Sequence, residues 1–213
     1  MQRTLYTLVM SAALVAGAHA WTVTITNSSA QLNPGTVTTN VPVVVINNPL
    51  PQITFLTAAG APNPILVGDG TTFTSGTFKA TYSIAPGASR GNLTGFNFII
   101  SGLVQGRARI QWEKRVVRNS DGATLYQDSG AIGGAGFGGR DGTFVLNIFV
   151  PLRQPANDMT VYENFSLSVG GAAPGFDTAS LFLVEQDWVP EPASLLALGA
   201  GLAGLVGLRR RVR

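Results

Sequence analysis

Between residues 21 and 188 apolar and polar side chains alternate in segment after segment, and a period of two restricts the chain to stacked β-sheets. Gly106, Ala108, Ile110 and Trp112 share one face of a segment whose other face carries Arg107, Arg109, Gln111 and Glu113. Trp21 to Thr26 and Phe78 to Ile84 alternate in the same way, and Met159, Val161, Phe165, Leu167 and Val169 form a further apolar face. Val43 to Ile46 and Phe144 to Val150 are denser apolar runs, expected as strands buried on both sides or at the sandwich centre. Leu181 to Val184 is the last strand expected. Asn33-Pro34-Gly35, Asn47-Asn48-Pro49, Ala85-Pro86-Gly87 and Ala173-Pro174-Gly175 break the segments, because proline fixes φ and glycine supplies positive φ. Asn119 to Gly122 reads as a hairpin loop. No stretch has three turns of helical periodicity. About eight or nine strands with frequent turns predict an all-β fold, a single β-sandwich with a jelly roll as its nearest variant.

Chemistry is limited by what is missing. The chain has no cysteine, and its one histidine is His19. Residues 21–188 therefore hold no disulfide, Cys/His zinc site, Ser-His-Asp triad or Cys-His pair. The same stretch carries nine Lys or Arg against ten Asp or Glu, so the basic character of the whole chain belongs to its ends. A nucleic-acid partner does not follow from it. No cofactor is expected, with a structural calcium ion left open. Asp121, Asp128, Asp141, Asp158, Asp177, Glu185 and Asp187 lie near expected loops, where carboxylates clip chains to calcium, yet no EF-hand or RTX spacing assigns ligands among them.

Three other features bear on function. Gly134 to Gly139 matches G-x-G-x-x-G, but strand-like residues follow it instead of a helix, so it reads as a flexible surface loop. Arg107, Arg109 and Arg115 share one strand face at about 6.6–7 Å per alternate residue, a basic row suited to an acidic polysaccharide. An ordinary solvated face or a charged edge strand also explains the row, and is the favoured reading. Glu163 falls by parity on the apolar face of Val161 and Phe165, where a carboxylate needs a bulge that turns it outward or a partnering arginine.

Both ends are apolar. Residues 1–20 have a basic start at Arg3, an apolar stretch from Leu8 to Ala16, and Ala18-His19-Ala20 as a cleavage site, so Trp21 is the expected mature N-terminus. This is the pattern of a secretory signal peptide, and signal peptidase is the enzyme it implies. Residues 189–213 contain Pro190-Glu191-Pro192, an apolar run from Ala193 to Leu208, and then Arg209, Arg210 and Arg211. As a helix the run spans roughly 24 Å at ~1.5 Å per residue, enough to cross a bilayer if the arginines snorkel and Trp188 sits at the opposite interface. Gly199, Ala203 and Gly207 form a small-residue stripe along it.

This three-part tail resembles the PEP-CTERM sorting signal of Gram-negative bacteria. The resemblance implies recognition by exosortase, a membrane transpeptidase that cuts near the PEP box, and delivery to the cell surface or its polysaccharide matrix. Pro190, Glu191 and Pro192 match the box, and Arg209 to Arg211 the basic stop. Residues 21–188 are not covered by it. The chain thus reads as a non-enzymatic surface or biofilm-matrix protein, with exopolysaccharide as a partner. The alternatives are a secreted carbohydrate-active enzyme using carboxylates alone, or a sugar-binding module. The latter calls for exposed aromatics in a row, whereas Trp112 points inward by alternation.

Overall fold

The computed structural model describes residues 21–34, 37–58, 65–68, 73–87, 91–170 and 176–191. The signal-peptide residues, including Ala18 and Ala20, lie outside this set. So do Gly35, Ala173 to Gly175, Pro192, the apolar run with its small-residue stripe, and Arg209 to Arg211. Among the described residues no helix is long and apolar enough to cross a membrane.

The chain is all-β. Its strands are β1 (Thr22–Asn33), β2 (Val37–Asn40), β3 (Val43–Ile46), β4 (Gln52–Phe55), β5 (Ile65–Gly68), β6 (Ser75–Ala85), β7 (Leu93–Gln105), β8 (Ala108–Arg118), β9 (Thr124–Gly133), β10 (Gly142–Ala156), β11 (Met159–Val169) and β12 (Thr178–Pro190). The first sheet runs β2-β1-β6-β11-β8-β9, and the second β10-β7-β12-β4-β3 with β5 also paired to β12. Every pairing is antiparallel.

Alternation predicts which side chains fill the space between the sheets. Phe78, Ala80, Tyr82 and Ile84 of β6, Ala108, Ile110, Trp112 and Val116 of β8, and Met159, Val161, Phe165 and Leu167 of β11 are all buried. They meet Phe55 of β4, Phe96, Phe98 and Ile100 of β7, and Val184 and Trp188 of β12. Aromatic contacts cross the gap: Phe55 to Phe78 and Phe98 to Trp112, each with ring centroids 5.4 Å apart. Each fully buried large apolar side chain contributes about 1.5–3 kcal/mol.

Several expectations are corrected. Among the described residues the strands number twelve, because β2, β4 and β5, at four residues each, are too short to show a period. The dense apolar runs form the two edges of the second sheet, β3 and β10, and not its centre. Their outward side chains Val44, Ile46, Val145 and Phe149 are exposed. Trp188, expected at a membrane interface, lies in the core at 1% exposure, its ring centroid 4.8 Å from that of Phe96. The turn predictions at Asn119 to Gly122 and at Gly87 hold: Gly122 and Gly87 have φ of 71° and 50°.

Both ends of the folded unit meet the same turn between β3 and β4. The Trp21 N–H donates to the Asn47 carbonyl and the Trp188 N–H to the Pro51 carbonyl, each at 3.0 Å. Beyond Pro190, the Glu191 N–H donates to Asn92 O at 3.0 Å, so backbone hydrogen bonding reaches one residue past β12.

Candidate functional site

The outer face of the first sheet is polar across five strands, a consequence of the parity that buries its other side. Register aligns its side chains in rows. Asn27, Thr81, Tyr162, Arg115 and Gln127 lie across β1, β6, β11, β8 and β9. The neighbouring row holds Ser29, Lys79, Asn164, Glu113 and Ser129. At about 4.8 Å between strands, each row is close to 19 Å long.

Two open grooves run over this face. One, of about 440 Å³, is lined by Arg109, Gln111, Glu113, Ser129, Asn164 and Ser166 among others. The second, of about 410 Å³, is lined by Asn27, Lys79, Thr81, Glu113, Arg115, Tyr162 and Asn164. Glu113 and Asn164 border both. Of the carboxylates lining the grooves, only Glu113 is exposed, since Glu163 turns its side chain inward. The chemistry that the described residues of the grooves offer is hydrogen bonding from amides, hydroxyls and cations.

The structure keeps two of the three arginines on the expected strand face, without bringing them together. Arg109 and Arg115 both face outward from β8, about 20 Å apart by strand rise. Each guanidinium covers an aromatic ring, Arg109 over Phe137 at 5.8 Å and Arg115 over Tyr162 at 5.2 Å. Arg107 does not belong. Gly106 adopts φ 61° and ends the strand early, so Arg107 sits in the turn before β8, its N–H donating to Asp177 Oδ1 at 2.8 Å.

The glycine-rich segment lies at the surface, as expected, but where a flexible loop was expected it is a turn held by hydrogen bonds. It forms a single 3₁₀ turn at Ala135–Phe137, and Asp141 Oδ1 accepts from the N–H groups of Gly106 and Ala135 at 2.8 Å each. Asp121 and Asp158, in turns, accept hydrogen bonds as well, and so does Asp128, which lies within β9 and not in a loop. Among the described residues no group of three or more His, Cys, Asp or Glu side chains converges on a metal position.

Glu185 and Asp187 lie in β12, not near a loop. They alternate on the outer face of the second sheet, about 6.6–7 Å apart along the strand. Thr54 Oγ1 and Gln52 Nε2 donate to the Glu185 carboxylate at 2.9 and 3.2 Å. Burial, and then the Glu185 charge, push the Asp187 carboxyl above its ordinary range, while a hydrogen bond from Gln52 opposes them.

A third polar group was hidden in the sequence. Glu163 is buried with Lys114 as its partner, not an arginine and not by way of a bulge. Lys114 shares the parity of Ile110, Trp112 and Val116, and that was the signal available. Tyr82 OH donates to Gln186 Oε1 at 3.1 Å in the same core, and burial raises the Tyr82 hydroxyl well above its usual range, with Glu163 adding to the shift.

At the end of β12, residues 189–211 match the PEP-CTERM protein-sorting motif. The chain carries that motif. Pro190 is the last residue of β12 and Glu191 is exposed, so the PEP box begins on extended backbone at the end of a strand. No curated protein matches the chain. Solved structures with some likeness include the xylan-binding module CBM15, at 13% identity over 80% of this chain and 99% of that one, with a TM-score of 0.34. TmCBM61 in complex with β-1,4-galactotriose is 6% identical over 78% of this chain and 86% of that one, TM-score 0.30. Tailspike protein 4 of bacteriophage CBA120 is 13% identical over 79% of this chain, TM-score 0.31, and the chain spans 19% of its length. At such TM-scores the likeness bears neither on ligand nor on chemistry.

Proposed function

We propose that this chain is an exported, non-enzymatic protein of the cell surface or exopolysaccharide matrix of a Gram-negative bacterium, sorted and cut by exosortase at its tail. The observation that carries this reading is the PEP-CTERM motif over residues 189–211, directly continuous with β12. On this reading residues 1–20 are removed by signal peptidase and residues 21–188 are the delivered domain. The segment from 189 onward holds the precursor in the membrane until the cut. The polar face bearing Lys79, Arg109 and Arg115 supports an acidic polysaccharide as the domain's partner, bound along the rows.

Fractionation of cells that possess exosortase tests the sorting. Glu191→Ala is expected to accumulate as an uncut, membrane-bound form, and replacing Arg209 to Arg211 with serine to give mis-sorted protein. Processing and release of both variants like wild type would sink the reading. The carbohydrate-active alternative has one observation in its favour, the Glu185 and Asp187 pair. Hydrolysis of a polysaccharide by wild type that is lost in both Glu185→Gln and Asp187→Asn would establish it.

A further inference from the structure

The ion pair at the centre of the core is poorly provided for as an ion pair. Lys114 of β8 and Glu163 of β11 stand directly opposite in register and are completely buried, Nζ hydrogen-bonded to Oε1. The rings of Phe96 and Phe98 cover Nζ at 4.4 and 4.3 Å and keep water from it. Burial drives the Lys114 ammonium below its usual range, toward the neutral amine, against the opposing pull of Glu163. The second carboxylate oxygen, Oε2, has no hydrogen-bond partner, and neither does Gln186 Nε2. Gln186 accepts from Tyr82, which feels the Glu163 charge, so the unpaired acceptor and donor belong to one cluster. Taking two charges out of water costs more than their attraction returns unless the remaining lone pairs are satisfied.

We propose that Lys114 and Glu163 are joined by an amide bond formed in the folded domain, a covalent modification that ties β8 to β11. As the core closes, the ammonium passes a proton to the carboxylate, giving a neutral amine beside a carboxylic acid. The nitrogen lone pair attacks the carboxyl carbon. A C–N bond forms, one C–O bond breaks, and the hydroxyl leaves with a proton shed by the nitrogen, so the products are an amide and one water. Nothing is oxidised or reduced. Register and packing supply the effective concentration that condensation lacks in water, and a dry site disfavours the reverse hydrolysis. The Gln186 amide N–H, a donor without a partner in the same core, is the group we assign to the oxygen that becomes charged in the tetrahedral intermediate. The product exchanges two buried charges for one neutral amide.

Peptide mapping of the full chain, purified folded from cells and then denatured and digested, tests this. The peptides containing Lys114 and Glu163 are expected as one linked species, lighter than their sum by one water. Lys114→Arg is expected to release them as separate peptides. Separate peptides at full sequence mass in the wild type would overturn the proposal and leave an ion pair. That wild-type map decides even if the variant fails to accumulate. It depends on neither end of the chain, so it stands or falls independently of the sorting reading.

Discussion

Replacing Lys114 with methionine removes the partner of Glu163, whether ionic or amide-linked, and an unpaired buried charge costs about 3–5 kcal/mol. Urea unfolding should show this loss, and adding Glu163→Leu should restore part of it. A Lys114→Met variant as stable as wild type would contradict the burial described. Asp187 offers a pH test. Its folded carboxyl is raised by burial and by Glu185, so the folded state holds that proton more tightly than the unfolded chain does. The stability it contributes is present below the ordinary carboxylate pKa and is lost as pH rises through the raised value. Asp187→Asn should therefore melt higher than wild type at neutral pH and alike in acid. An unchanged difference across that range would exclude the effect. Residues of this kind were only partly legible. Lys114 could be placed inward by counting twos from Ile110, but its partner depends on register between β8 and β11, which no local pattern encodes.

Among the elements, those with one wet and one dry face were readable, and β6, β8 and β11 lie where their alternation put them. β10 and β3 misled because apolar side chains on an edge strand's outer face look in sequence like burial on both sides. The irregularity between Leu181 and Leu183 shifts the parity of β12, so that Gln186 and Trp188 point inward. Arg107 was misplaced for a related reason, since the positive φ of Gly106 ends the alternating face early. The exposed β10 edge predicts an aggregation liability. Val145→Lys with Phe149→Lys should change stability by no more than about 0.5 kcal/mol per site and slow aggregation on concentration, followed by light scattering. Gly102 of β7 should tolerate nothing larger. A Cβ there would lie 2.4 Å from the Ser180 carbonyl oxygen and 2.9 Å from the Phe144 ring. Gly102→Ala should cost about 1–3 kcal/mol in chemical denaturation; a neutral result would mean that β12 and β10 yield more readily than this packing implies.

As a whole molecule, the domain is held by its core without cysteine. Its melting temperature by calorimetry should be the same with and without dithiothreitol, and a fall with reductant alone would contradict that account. On the proposed reading its two ends enter one membrane, and the bonds from Trp21 to Asn47 and from Trp188 to Pro51 bring them to a single turn. A polypeptide whose ends meet is a closed loop in all but covalent structure. It can collapse around its centre without dragging either mooring sideways through the lipid. The two cuts then need no fixed order: whichever blade arrives first, the other tether keeps the folded domain at the bilayer until it too is severed.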